Sequence, residues 1–320
     1  MRAYLGVSLL VFASVAAAQV PPQSDAERAR EQAEQAAYQL KPDTRGTGAY
    51  PSLKEMDWSL PDHTVYRPAD LSRVRDGELG VIAWGNGGCS RDGASVRFHL
   101  AELASHGYIV IAPGRILTGP GAIPSPARGA GPAVPEDYST VGDVQKGIDW
   151  ALAENANPGS QFYRKINPDF VAVSGFSCGG IQALKLAHDP RVKAVVIHNS
   201  GLLADGLPAM AFMPTSKALL KTLRTPVVYI QGGPTDIAYE NGMDDFRRID
   251  HVPAAMLNQD TGHGGTFLAD NGGRAAQVAV TWLGWQLRND KAARAMFVGE
   301  NCGLCRDPAW TIERKNFPAE

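Results

Sequence analysis

The residues best placed to do chemistry lie in Val171-Ala172-Val173-Ser174-Gly175-Phe176-Ser177-Cys178-Gly179-Gly180. A β-branched apolar run reads as a buried strand, breaks at Gly175–Gly179, and continues as an amphipathic helix to Leu186. In a strand, Gly-x-Ser-x-Gly, helix context the tight turn exposes the serine hydroxyl, and the glycines let strand and helix approach closely. A serine hydroxyl is a weak nucleophile at neutral pH, so Ser177 needs a base and the base an orienting acid. Asp236 is the candidate acid, because it follows an apolar strand at 227–230 through a Gly/Pro turn. A loop aspartate more often makes an Asx turn or a helix cap; the rivals Asp244 and Asp245 read as the start of the helix that follows. His263, between Gly262 and Gly264 after the last apolar strand, is the candidate base. Of the other histidines, His99 and His106 fall in a helix, His188 ends one and His251 precedes a strand. His198 ends a strand but precedes Asp236, which breaks the expected order of serine, acid, histidine.

An oxyanion needs two preorganised N–H donors. One is the amide of Cys178; the other belongs to Asn86 or Gly87, in the Gly-rich stretch 84–89 after an early strand. That stretch has no Lys and no G-x-x-x-x-G-K pattern, so a phosphate cradle is not indicated. Phe176, Met210, Phe212, Met213 and Tyr239 are candidates to line an apolar substrate site or, equally, to be core.

These groups need elements to hold them. A chain of 320 residues, 44% apolar, is long enough for a full core in one large domain or two small ones. Its net charge of −2 gives no basic face for nucleic acid. Residues 1–18 read as a secretory signal: Arg2, an apolar stretch too short to span a bilayer, then Ala16-Ala17-Ala18. The mature protein is expected to be secreted or periplasmic, without stable membrane insertion. Residues 19–50 are expected to form a helical extension and linker, with an exposed, Ala-faced helix at 25–39 capped by Ser24 and Glu27 and a linker at 41–50. Residues 51–320 are the expected catalytic domain with a Cys-containing tail. Strands are expected at 63–67, 79–84, 108–112, 192–197, 227–230 and 254–257, and helices at 93–106, 140–154 and 274–288. Such alternation implies a mostly parallel α/β sheet with helices on both faces. The loop 114–138 leaves the C-terminal end of a strand, where open α/β sheets place their sites. No inserted lid is visible before the acid strand, which implies an open site.

Taken together, the chain resembles the α/β-hydrolase superfamily, in particular the lidless branch of dienelactone hydrolases, platelet-activating-factor acetylhydrolases and cutinase-like polyester hydrolases. The resemblance covers about residues 81–287 and is carried by Leu103-Ala104-Ser105-His106-Gly107-Tyr108, by 175–180, and by the surroundings of Asp236 and His263. The chain departs from that branch at Cys178, where polyester hydrolases often have Met, in the longer Gly-rich loop, and in 114–138. The resemblance implies a serine ester hydrolase acting through Ser177, His263 and Asp236 on a small-molecule or polymeric ester, with no cofactor and no metal. The alternatives are a dienelactone-hydrolase-like enzyme or peptidase, and a non-catalytic binding protein of the same fold. Ser177 stands where dienelactone hydrolases typically carry Cys.

Export makes disulfides the expected state of the four cysteines, with three pairings available on paper. Two donor segments converging on one oxygen would bring Cys89 and Cys178 within bridging distance, leaving Cys302 and Cys305 for a local clip. A pair of buried free thiols is the alternative.

Overall fold

The computed structural model describes residues 25–123, 135–205 and 213–317. Its centre is a nine-stranded sheet in the order β1-β2-β4-β3-β5-β6-β7-β8-β9. The strands are β1 (Ser52–Glu55), β2 (His63–Pro68), β3 (Leu79–Gly85), β4 (Tyr108–Pro113), β5 (Ile166–Phe176), β6 (Ala194–His198), β7 (Val227–Gln231), β8 (Ala254–Asn258) and β9 (Thr311–Lys315). The six from β4 to β8 are parallel, while β1, β2 and β9 pair antiparallel at the two edges.

The inner strands are buried on both faces, which is why they read as continuous apolar runs. Their side chains nevertheless divide by the two-residue period of a strand. Ile109, Ile111, Val171, Val173, Val195 and Ile197 join one core with helices α3 (Val141–Ala156), α4 (Cys178–Leu186) and α5 (Tyr239–Arg248). Tyr108, Val110, Ala172, Ala194 and Val196 join the other, with α2 (Arg97–Ser105) and α6 (Gly273–Arg288).

Several expectations need correction. Helix α2 starts at Arg97 rather than 93, because Asp92 accepts from the Ala94 amide (2.9 Å) and holds that segment as a turn. Asp244 and Asp245 lie in the body of α5, not at its start. Residues 41–50 are packed against α2 rather than forming a spacer: Thr47 bonds Glu102, and a Cβ on Gly48 would lie 2.2 Å from the Ser105 carbonyl oxygen. Helix α1 (Asp25–Leu40) is exposed along most of its length, but Tyr38 is buried beneath the Arg97 guanidinium, 4.0 Å above its ring. The C-terminal tail completes the sheet, with Leu304 and Trp310 buried beside α6 and the short helix α7 (Lys291–Ala295). The signal segment and Ser24 of the capping pair lie outside the described residues. No described helix is long and apolar enough to cross a membrane.

Candidate active site

The site is built at the C-terminal ends of β3, β5, β6, β7 and β8. Where β5 passes into α4, Ser177 has φ 53° and ψ −120°, a region that costs a non-glycine residue on the order of 1–3 kcal/mol. The surroundings hold it there. Its amide donates to the His198 carbonyl (3.1 Å), and its carbonyl accepts from the Gly180 amide (2.9 Å) and the Ser200 hydroxyl (2.6 Å). Gly179 is required by space, since a Cβ there would lie 2.0 Å from the backbone of Gly85 on β3. Ser177 is half-buried, and its hydroxyl oxygen lies 3.0 Å from His263 Nε2.

Asp236 follows β7 through a turn in which Gly233 takes φ 77°. Its buried carboxylate is saturated with donors. Oδ1 accepts from His263 Nδ1 (2.6 Å) and the Ala238 amide (2.9 Å); Oδ2 accepts from the Gly232 amide (3.1 Å) and Asn199 Nδ2 (2.9 Å). Burial pushes this carboxyl up, but the hydrogen bonds from His263, Ala238 and Gly232 and the charge of the imidazole outweigh it, so its pKa lies below the usual aspartate value. The loop carrying His263 is tied to the acid loop by the Thr261 and Gly262 amides, both donating to the Gly232 carbonyl (3.1 and 2.9 Å). A serine hydroxyl, an imidazole and a buried carboxylate therefore form one continuous hydrogen-bonded chain. With Nδ1–H donated to the acid, Nε2 is left to accept the serine proton.

His198, the rival base, is enclosed. Its ring packs against His99 at 4.7 Å, Trp84 at 5.7 Å and Phe267 at 5.6 Å, and neither ring nitrogen has a hydrogen-bond partner among the described residues. Burial pushes His198 far below the ordinary histidine pKa, and His99 down to about 3.

The segment 86–89 borders the serine from the β3 side. The Asn86 side chain is buried and donates to the carbonyls of Ser90 (2.9 Å) and Pro113 (2.7 Å). Gly87 packs on the Phe176 ring, where a Cβ would lie 2.4 Å from ring carbon. Gly88 and Cys89 both have positive φ, 61° and 49°. Cys89 is bridged to Cys178, with Cα atoms 5.2 Å apart, and Cys302 to Cys305 at 5.0 Å. A second tether runs beside the first bridge. The Cys89 carbonyl accepts from the Ser139 amide (2.7 Å) and hydroxyl (3.1 Å), and Gln182, one turn into α4, donates to the Ser139 carbonyl (2.7 Å).

Of the candidate lining residues, Phe176 is half-buried with its ring 5.2 Å from that of His263, and Tyr239 is half-buried at the start of α5. Met213 is buried in the core below α4, so a lining role for it does not hold. Phe212 and Met210 lie outside the described residues. Two residues escaped the sequence reading. Ile237, directly after the acid, is 66% exposed. Asn199, at the end of β6, holds Asp236; the one available signal was a polar residue closing an otherwise apolar strand. In comparisons with known proteins, no family model matches the chain, and no curated protein matches it.

Proposed function

We propose that this protein is a serine ester hydrolase with an α/β-hydrolase fold, of the lidless kind, exported from the cytoplasm. The observation that carries the reading is the unbroken chain from Ser177 through His263 to buried Asp236 at the C-terminal edge of a parallel sheet. In this reading His263 Nε2 takes the Ser177 proton as the oxygen attacks an ester carbonyl. The imidazolium that forms faces the Asp236 carboxylate, and the proton passes to the departing alkoxide. The amides of Cys178 and of Asn86 or Gly87 receive the developing oxyanion. Water, deprotonated by the same imidazole, then frees the acyl group. The partly exposed serine, next to half-buried Phe176, favours short or otherwise accessible carboxylic esters, including those of polymers. The described part of the β6–β7 connection holds only a short 3-10 turn, Lys217–Thr222, which supports the absence of a helical lid.

The test is turnover of short p-nitrophenyl esters by the wild type, Ser177→Ala and His263→Ala. The reading expects activity in the wild type and loss of nearly all of it in both variants, with the fold retained. Equal turnover by wild type and Ser177→Ala would overturn it.

A further inference from the structure

Asn199 occupies a conformation that few residues accept. Its φ is 44°, in the left-handed region where asparagine is tolerated and a β-branched or bulky residue is strained. Its backbone is fixed from β7, with the amide donating to the Ile230 carbonyl (2.8 Å). The side chain is buried, and both hydrogens of its amide group are used. One goes to Asp236 Oδ2 (2.9 Å) and the other to the carbonyl of Gly262 (3.0 Å), the residue before His263. The neighbours are shaped around this amide. A Cβ on Gly232 would meet its Nδ2 at 2.8 Å, and a Cβ on Gly265 would meet its Oδ1 at 3.0 Å. One planar group thus grips the acid and the loop of the base together. It stands on the strand whose last carbonyl also receives the Ser177 amide.

We infer that Asn199 is a positioning residue for the candidate site: it fixes the rotation of the Asp236 carboxylate and the height of the His263 loop over Ser177. The inference rests on the serine hydrolase reading for its kinetic consequence, but not for its geometric one. Without Asn199 the carboxylate keeps the Gly232 and Ala238 amides yet loses the donor on the face opposite His263. The half-buried Gly262 carbonyl loses one of its two donors and keeps the Gly265 amide (3.2 Å). The Nδ1–H bond loosens, and Nε2 drifts from the serine oxygen. Small displacements of this kind cost rate rather than substrate affinity.

Two variants separate positioning from space-filling. Asn199→Gly adopts the same backbone freely and removes both donors. Asn199→Asp keeps the shape and also tolerates positive φ, but replaces the donating amide with an acceptor facing Asp236. Both are expected to lower kcat on a short p-nitrophenyl ester by about 10–100-fold while KM stays within about twofold. The far-downfield proton NMR resonance of the His263–Asp236 bond is expected in the wild type, and displaced or broadened in both variants. A purely structural role would lower thermal stability and leave that resonance and kcat in place, at least in Asn199→Asp; that result overturns the inference. If the wild type turns over no ester, the serine hydrolase reading falls, and the resonance alone still decides Asn199: unchanged in either folded variant, it refutes the positioning role.

Discussion

Asp236 is the residue on which the site's electrostatics turn. A buried carboxylate would ordinarily resist ionisation, yet four donors converge on it, and those from His263, Ala238 and Gly232, with the charge of the imidazole, hold its pKa below the usual value. Its charge is therefore present throughout the neutral range, and it fixes His263 in the tautomer with Nδ1 protonated. Asp236→Asn keeps the shape but can present an N–H to the ring, which favours the opposite tautomer. The expected loss in kcat is on the order of 10⁴, as in the analogous triad, with little change in fold. Steady-state kinetics alongside circular dichroism check it; near wild-type kcat in a folded Asp236→Asn would place the acid elsewhere. Asn199 acts on the same carboxylate from the other side. Asn199 was invisible as a site residue in the sequence because its role needs β6, β7 and the 259–265 loop to be adjacent. That neighbourhood exists only once the sheet order is known.

At the scale of elements, the stretch from β5 into α4 was the most legible part of the chain. Its valine run, its glycines and its helix each carry an independent local signal, and each has a matching steric reason in the contacts of Gly85, Gly175 and Gly179. The edge strands were not legible. Ser52-Leu53-Lys54-Glu55 and Thr311-Ile312-Glu313-Arg314-Lys315 carry the charges expected of sheet edges, and so lack the apolar run that marks the inner strands. The packed course of 41–50 was hidden for a different reason: Gly46 and Gly48 read as flexibility, whereas here they permit contact with Ser105. The Cys89–Cys178 bridge was reachable in the sequence by expecting segment 86–87 and Cys178 to converge on one oxygen. It joins residues 89 positions apart, for which the chain-entropy model gives roughly 4–5 kcal/mol. Replacing both cysteines by Ala is expected to lower the melting temperature and to reduce kcat more than it raises KM, since it releases segment 86–89 from α4. Removing Cys302 and Cys305 instead, far along the chain in the tail, is expected to lower stability without that kinetic split. Thermal melts and kinetics on the two double variants decide it; identical kcat in the two would show that the bridge near the serine has no special part in turnover.

Over the whole molecule, the sheet places a buried pair of imidazoles, His99 and His198, directly behind the serine-bearing turn. Both are held neutral by burial, His99 with a pKa near 3 and His198 well below the ordinary 6.5, and Glu102 offsets this only in part for His99. In the unfolded chain both take up protons as the pH falls below about 6.5, whereas the folded chain does not, so stability is lost on acidification. Stability is expected to fall as the pH drops below about 6.5, and His99→Phe should make that fall shallower. Urea unfolding between pH 7.5 and pH 5 measures this, and a flat profile would mean that the pair finds charge compensation in solution. Whether Ser177 is the nucleophile is decided by covalent capture. Incubation with an alkyl fluorophosphonate followed by peptide mass mapping is expected to place one equivalent of adduct on Ser177, with labelling abolished in His263→Ala and ester turnover lost in step with adduct formation. Full ester turnover by a protein left unlabelled at Ser177, or labelling that is indifferent to His263, would show that Ser177 is not a nucleophile activated by His263.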